Sequence, residues 1–166
     1  MAKKKNNKAK TPAMEFYMFP SLHQDVLNAL SGSIAQIWFN DTDTDTDEGA
    51  NNLYPTNVMG RFRCENNCCR SKSWGSKRVA IYIRGYPGNG YNAVVYNQRC
   101  ESCQELGQLT LDEASYVDRV SYRLKKWAGV AVARPYYEEK EGPPHMNDLC
   151  EGCKRGHCPR VSLGIN

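Results

Sequence analysis

Three cysteines and two histidines lie within the fourteen residues from His145 to Cys158. Five further cysteines occupy positions 64, 68, 69, 100 and 103. Two pairs, Cys100/Cys103 and Cys150/Cys153, have the C-x-x-C spacing that lets two thiolates of one tight turn reach the same metal ion at about 2.3 Å. A lone C-x-x-C pair also suits a redox enzyme, but two distant pairs with extra ligands beside them indicate structural zinc.

A closed zinc site takes four nitrogen or sulfur ligands, so two sites need eight. Seven cysteines and His145 supply that number if one of Cys68 and Cys69 is spare. Pairing Cys64 with Cys69 leaves four intervening residues, which lies within the usual ligand spacing, so we favour Cys69 and predict a free thiol at Cys68. The sequence thus predicts two Zn²⁺ ions with these ligand sets: Cys64, Cys69, Cys100 and Cys103 for one, and His145, Cys150, Cys153 and Cys158 for the other.

Spacing alone leaves three alternatives open for these ligands. The C-x-x-C pairs could be exchanged between the two sites. His157 could replace Cys158, although the simpler prediction is that His157 lies on the surface. A single site could also form, with the remaining thiols buried as small hydrophobic side chains.

Catalytic zinc normally keeps an open coordination position and has a general base nearby. A nucleobase deaminase would show H-x-E and P-C-x-x-C, but Asn147 stands in the place of the glutamate and Leu149 in the place of the proline. No H-E-x-x-H, nucleophile elbow or P-loop occurs in the chain. We therefore predict that the protein is not an enzyme.

The 166 residues suit one domain with a modest core. The lysine-rich start is not followed by the apolar core of a signal peptide, and no run approaches the roughly 20 apolar residues of a membrane-spanning helix. Thiols stay reduced inside cells, where cysteine clusters more often bind metal than each other. We expect an intracellular protein, cytoplasmic or nuclear, with no membrane span.

The net charge of +4 is unevenly distributed along the chain. Five lysines within residues 1–10 mark a basic arm over 1–13 that we expect to be disordered. An acidic Asp-Thr repeat occupies 41–48, and 61–84 holds seven Lys or Arg residues against the single acid Glu65. Such blocks are often only solvated surface.

Hydrophobic periodicity and turn signals predict an α+β fold. We expect a helix from a Ser21 capping box to Leu30, a strand over 34–39, and strands over 58–63, 78–86, 91–99 and 105–109, with a hairpin turn at 87–90. A second capping box, Thr110 with Glu113, should start a longer helix to about Ala128, where Gly129 ends it. An irregular connection follows over 130–144.

These elements make a small zinc-stabilised antiparallel sheet, with one N-terminal helix and one longer helix packed on it and two zinc knuckle sites. The predicted divisions are the arm 1–13, a helix-strand extension with the acidic loop over 14–56, a zinc-binding domain over 57–160, and a tail over 161–166.

Four segments together resemble the 3CxxC-type zinc-finger family, which includes receptor-transporting proteins, zygote arrest proteins and many fungal proteins. They are NVMGRFRCENNCCRSKSWGSKRVAIYI, YNQRCESC, YVDRVSYRLKKWAG and HMNDLCEGCKRGHC, and the similarity is greatest to the fungal branch. The resemblance implies the ligand set given above, with Cys158 completing it, and zinc binding combined with RNA or protein recognition. Two departures are the first cysteine pair, which is wider than C-x-x-C, and the lack of the membrane anchor of the receptor-transporting members.

Basic and aromatic residues together indicate nucleic-acid binding, with RNA favoured over DNA, because cations neutralise phosphates and a planar ring can stack on an unpaired base. The predicted contacts are Arg61, Arg63, Arg70, Lys72, Trp74, Lys77, Arg78, Lys154 and Arg155. For Trp74 we favour packing in the core or at a zinc knuckle over stacking on a base. The alternative is a protein-interaction adaptor, or a trafficking or chaperone-like factor without a membrane anchor, in which the zinc-clamped sheet presents a surface to a protein partner.

Overall fold

The computed structural model describes residues 13–42, 44–66, 69, 72–133 and 145–159. Six strands form one sheet: β1 Phe16–Tyr17, β2 Trp38–Phe39, β3 Asn52–Arg63, β4 Ser73–Tyr86, β5 Gly90–Tyr96 and β6 Gln108–Leu111. Three α-helices accompany it: α1 His23–Leu30, α2 Glu113–Trp127 and α3 Glu151–Lys154. The strand order is β1-β5-β4-β3-β6, and every pair on this path is antiparallel, whereas β2 pairs with β5 in parallel. The predicted fold class, α+β with two helices on a mainly antiparallel sheet, is confirmed.

Strand β5 and the half of β4 from Val79 to Tyr86 are buried on both faces, whereas residues 73–78 of β4 are exposed or half-buried. Helices α1 and α2 cover one face, where the core is formed by Val26, Leu30, Val79, Ile81, Ile83, Ala93, Val95, Tyr116, Val120 and Leu124. The other face carries Ala80, Tyr82, Val94 and Tyr96, which pack against Phe16, Met18, Cys150 and Cys158. A cysteine-rich segment therefore takes the place that a helix or second sheet would occupy in a larger domain.

The turn between β4 and β5 confirms the predicted hairpin. Gly88 has φ +76° and Asn89 has φ +62°, the left-handed values that glycine and asparagine adopt at little cost. Tyr86 then pairs with Gly90, so the register of the two central strands is fixed at this turn.

The capping residues predicted for α1 and α2, Ser21 and Thr110, are both wrong. A 3-10 turn over Pro20–Leu22 precedes α1, and no side chain caps that helix, so the capping box at Ser21 does not form. The cap of α2 is Asp112, whose carboxylate accepts a hydrogen bond from the Ser115 backbone N–H at 3.0 Å. Thr110 cannot fill this role because it pairs with Arg61 inside β6. The end of α2 agrees with the prediction, since Gly129 has φ +72°.

Several strand bounds also differ from the predictions. β3 begins six residues before the predicted 58–63, because Pro55 and its neighbours pair only with β4, and proline is tolerated on an edge strand. The strand predicted over 34–39 is reduced to the two residues of β2. Strand β4 starts at Ser73 and not at residue 78, and β5 ends at Tyr96 and not at residue 99. The strand predicted over 105–109 is β6, which covers Gln108–Leu111.

The segment 14–56, predicted as an extension, contributes to the same sheet as the rest. β1 and β2 both pair with β5, and α1 packs against α2. The predicted boundary at residue 57 falls inside β3. The predictions for residues 1–12, 134–144 and 160–166 lie outside the described residues. None of the helices in the described part of the chain has the length and apolar character needed to cross a bilayer.

Part of the acidic Asp-Thr repeat is anchored to the sheet. The buried Arg84 guanidinium contacts Asp45 at 2.6 Å and Asp47 at 2.8 Å. Asp45 also accepts hydrogen bonds from the Tyr96 hydroxyl at 2.6 Å and from Arg155 at 2.8 Å. Burial alone would raise the pKa of Asp45, but the hydrogen bonds from Tyr96, Arg84 and Arg155 outweigh it and hold that pKa below its usual value. This carboxylate is therefore charged at neutral pH and joins the loop to the sheet.

We predict that Asp45→Asn lowers the free energy of unfolding by about 3 kcal/mol, because removing one partner of a buried ion pair leaves the other charge uncompensated. Asp41→Asn, a change of an exposed aspartate in the same acidic stretch, should alter it by less than about 0.5 kcal/mol. Urea denaturation of the zinc-loaded protein measures both. Equal stability of the two variants would show that the Asp45 anchor contributes nothing.

Candidate metal centres

The first cysteine cluster joins the end of β3 to the turn after β5. The Sγ atoms of Cys64, Cys69, Cys100 and Cys103 all lie within 4.8 Å of one another. Cys64 and Cys103 are 3.6 Å apart, and Cys69 and Cys100 are 3.8 Å apart. A tetrahedral zinc ion with Zn–S bonds of about 2.3 Å has S–S edges of about 3.8 Å. These four sulfur atoms therefore have the geometry of a zinc site.

Backbone hydrogen bonds shape the two turns that carry these thiols. The Cys64 N–H donates to the Lys72 carbonyl at 2.8 Å, which closes the loop between β3 and β4. The Cys100 N–H donates to the Glu105 carbonyl at 2.9 Å, and the Gln104 N–H donates to the Cys100 carbonyl at 2.7 Å. The second turn is thus a tight knuckle with its two cysteines on the same side.

The second cluster lies against the sheet face that the helices do not cover. The ligand atoms of His145, Cys150, Cys153 and Cys158 all lie within 4.8 Å of one another. His145 Nε2 is 3.2 Å from the Cys153 Sγ and 3.6 Å from the Cys158 Sγ. The Cys153 N–H donates to the Cys150 Sγ at 3.4 Å, so the first turn of α3 holds these two residues together. Three thiolates and one imidazole suit structural zinc.

The clusters agree with the local pairing of ligands rather than the crossed one. They contain the eight residues predicted as ligands, in the predicted sets, and fit two zinc ions. His157 is not among them, because its ring stacks on Tyr82 at 4.0 Å and its Nδ1 lies 2.6 Å from the Tyr96 hydroxyl. With 21% of its side chain exposed, His157 is half-buried, so the prediction of a surface residue is wrong. The predicted free thiol Cys68 lies outside the described residues.

Crowding and burial oppose simultaneous ionisation of these thiols. The neighbouring Cys103 raises the pKa of Cys69 to about 12, and burial raises the pKa of Cys153 to about 12. Cys158 likewise raises the pKa of Cys150. The pKa of the Cys103 thiol is instead lowered, to about 7, chiefly by a hydrogen bond with the Glu105 backbone. A divalent cation removes this conflict because it neutralises thiolates that otherwise repel one another.

Several residues predicted to contact nucleic acid lie together beside the clusters. They line a groove of about 880 Å³ that also includes Cys100 of the first cluster and His145 of the second. The predicted residues in this groove are Arg61, Lys72, Trp74, Lys77 and Arg78. We call this concave surface the inter-cluster groove.

A β-bulge places two consecutive cations at the inter-cluster groove. Val58 pairs with Val79 and Gly60 pairs with Ser76, which leaves both Lys77 and Arg78 opposite Met59. An extra residue in one strand re-aims the side chains beside it. Without the bulge, neighbouring residues of β4 would point to opposite faces of the sheet.

The other predicted contacts that belong to the described residues, namely Arg63, Lys154 and Arg155, are not in the inter-cluster groove. Arg63 is exposed and lies 3.9 Å from Glu65. Lys154 pairs with Glu151 at 3.2 Å, and Arg155 pairs with Asp45 as described above. Arg70 lies outside the described residues. The structure therefore separates the cations near the second cluster from those of β3 and β4.

Trp74 lines the groove but is engaged in packing. Its ring lies nearly parallel to that of Phe62, at 13° with 5.4 Å between centroids. Its Nε1 donates a hydrogen bond to the Gln98 side chain at 3.0 Å. One face and the polar edge of the indole are thus already used.

Among the groove residues that sequence reasoning missed are Met59, Arg99 and Met146. Arg99 had a usable signal, because it directly precedes the Cys100 knuckle and adds a cation to it. The sequence carries no signal for the two methionines, because no local pattern relates Met59 in β3 to Met146, which follows His145.

We predict two zinc atoms per chain by elemental analysis, with loss of folded structure on chelation, because metal binding energy is folding energy in such a domain. Cys69→Ser and Cys150→Ser should each reduce the content to about one zinc atom, since three remaining ligands hold the ion weakly. Cys68→Ser is the matched control and should retain two. Loss of zinc in Cys68→Ser with retention in Cys69→Ser would reverse the assignment of these adjacent cysteines.

We further predict that Gly152→Ala weakens the second cluster. A Cβ at Gly152 would lie 2.5 Å from the Ala80 Cβ, so α3 would have to move away from β4 at a cost of about 1–3 kcal/mol. Gly75→Ala is the control, because its Cβ would meet only the Arg61 guanidinium at 3.5 Å. The rate of zinc transfer to a chromogenic chelator should rise for Gly152→Ala alone, and equal rates in both variants would contradict the close packing.

Comparison with known proteins gives one match. A family model described as a zinc-binding domain of the 3CxxC zinc-ribbon type matches residues 57–156, while neither the curated proteins nor the solved structures include a match to the chain. Seven of the eight clustered residues lie in this span, and the place of Cys158 rests on the geometry of the second cluster. Because the model matches more than half of the 166 residues, the chain belongs to the 3CxxC zinc-ribbon family of zinc-binding domains.

Proposed function

We propose that this zinc-binding domain binds nucleic acid through the inter-cluster groove, with RNA favoured over DNA. The observation that carries the proposal is the charge of the groove lining. Five cations, Arg61, Lys72, Lys77, Arg78 and Arg99, line it together with only two carboxylates, Glu101 and Asp112. A concave surface with this excess of positive charge attracts a polyanion and raises its rate of association.

The cations of the groove differ in how they are held. Arg99 is fixed by Glu151 at 2.6 Å and by the Gln104 carbonyl at 3.0 Å. Arg61 and Lys77 are exposed residues of two neighbouring strands. A fixed guanidinium beside two exposed cations suits a ligand whose negative charges repeat along a chain, as the phosphates of a nucleic acid do.

RNA is favoured because the groove combines cations with apolar side chains. Proteins recognise RNA mainly through unpaired loops and ends, where phosphates and exposed base faces occur together. Met59, Leu111, Met146 and Leu149 lie in the same lining as the cations.

We also propose that the domain acts as a binding module and not as an enzyme. Each cluster offers four protein ligands, which is the full set of a tetrahedral zinc ion and leaves no position for a substrate or a reactive water. The resemblance to receptor-transporting, zygote arrest and fungal members of the family implies RNA or protein recognition, which agrees with such a role.

The test is the salt dependence of binding to a fluorescent single-stranded RNA, followed by anisotropy. Affinity should fall steeply with salt, and the double variant Arg61→Ala/Lys77→Ala should reduce the slope of log K against log salt by about 1.4, since each lost phosphate contact removes about 0.7. Lys125→Ala/Lys126→Ala removes the same charge from the last turn of α2, outside the groove, and should leave the slope unchanged.

A DNA strand of the same sequence and polyglutamate of matched charge serve as competitors. Displacement of RNA by polyglutamate at equal charge concentration would indicate an acidic protein partner, the adaptor function, and would contradict the proposal. Binding that does not depend on salt, or that both double variants weaken equally, would also contradict it.

A further inference from the structure

Two of the exposed apolar side chains of the described residues lie in the same groove. The large hydrophobic residues with substantial exposure are Met14, Trp38, Leu53, Met59 and Met146. Met59 is 39% exposed and Met146 is 46% exposed, and both line the inter-cluster groove. Phosphate binding does not need them, so a different part of the ligand must account for apolar side chains among these cations.

The backbones that carry the two methionines are fixed. The Met59 N–H donates to the Ser115 hydroxyl at 3.0 Å, and the Asp112 N–H donates to the Met59 carbonyl at 3.0 Å. Met146 follows the zinc-cluster residue His145, and its carbonyl accepts from the Leu149 N–H at 3.1 Å. Each side chain is flexible and polarisable while its attachment point is rigid, a combination that suits adaptable contact with flat aromatic groups.

Trp74 is a poor candidate for stacking on a base. One face of its ring is covered by Phe62 and its Nε1 is bonded to Gln98. The exposed apolar contacts that the groove offers to a base are therefore the two thioethers.

We infer that the inter-cluster groove selects unpaired bases: it binds a single-stranded nucleic acid whose base faces contact Met59 and Met146 while its phosphates contact Arg61, Lys77 and Arg78. This inference rests on the proposed function and specifies its ligand class. In a duplex the base faces are covered by stacking, so a duplex can use the cations but not the methionines. The bulge that sets Lys77 and Arg78 opposite Met59 brings the phosphate contacts and the base contact to the same place.

The experiment compares three fluorescent ligands on the zinc-loaded full chain at one salt concentration. They are a single-stranded RNA of about ten nucleotides, the same strand paired with its complement, and an abasic ribose-phosphate strand of equal length. The single strand should bind about tenfold more tightly than the abasic strand, since two thioether contacts with aromatic bases are together worth a factor of this order. It should also bind more tightly than the duplex, despite the greater charge of the duplex.

Matched methionine variants identify the contacts. Met59→Gln/Met146→Gln should lose about tenfold in affinity for the single strand, with the salt slope and the abasic affinity unchanged, because glutamine keeps the length but is polar. Met14→Gln is the control, since Met14 is 47% exposed and lies outside the groove lining. Zinc content and circular dichroism verify that all variants are folded.

The outcomes separate this inference from the proposed function. Equal affinity for the three ligands, or an equal loss in the Met14→Gln variant, would overturn the selection of unpaired bases and leave the cationic groove intact as a polyanion site. Failure of all three ligands to bind the folded, zinc-loaded chain would overturn the proposed function itself. Tighter binding of an apolar acidic peptide than of the single strand would overturn both in favour of a protein partner.

Discussion

Coordination of a divalent ion by the second cluster is the interaction on which the rest of the structure depends. The sheet needs cover on two faces, and within the described residues the two longer helices, α1 and α2, cover only one of them. Cys150 and Cys158 pack on the other face, where the neighbouring Cys158 thiol and burial raise the pKa of Cys150. An ion that binds these thiolates turns a cluster of conflicting charges into a rigid cover for β4 and β5. Metal coordination thereby supplies stability that a larger hydrophobic core supplies in a longer chain.

The two clusters are joined through one short segment. Gln98 forms a β-bridge with Cys150, and the Arg99 N–H donates to the Leu149 carbonyl at 2.8 Å. The next residue, Cys100, belongs to the first cluster. The walls of the inter-cluster groove are therefore set by both metal sites, and the position of Arg99 in it follows from the residues on either side.

The basic residues near the second cluster have acidic partners, whereas those of the inter-cluster groove outnumber the carboxylates beside them. Near the second cluster, Arg84 is paired with Asp45 and Asp47, which anchors the acidic loop. Arg155 is paired with Asp45 and Glu15. In the inter-cluster groove the cations outnumber the carboxylates. The basic residues of these two regions thus serve two roles: those held by acidic partners stabilise the fold, and the exposed ones of the groove suit an external polyanion.

The sequence by itself determined the features that depend on short spacing. The C-x-x-C pairs and the turn at Gly88 and Asn89 act over a few residues, so their pattern predicted four of the ligands and the hairpin. Local geometry limits such elements to few conformations, and residue type then chooses among them.

Only the tertiary structure decided which distant residues meet. Thr110 pairs with β3, so Asp112 caps α2 in its place. The buried Arg84 binds Asp45 of the acidic loop. Met59 and Met146 come from distant parts of the chain and line the same groove. These contacts depend on strand register, on a single bulge and on the positions of two clusters. A shift of one residue in register would turn each side chain to the opposite face. A local turn sets the register of β4 and β5, but the strands that no short turn joins take theirs from tertiary pairing.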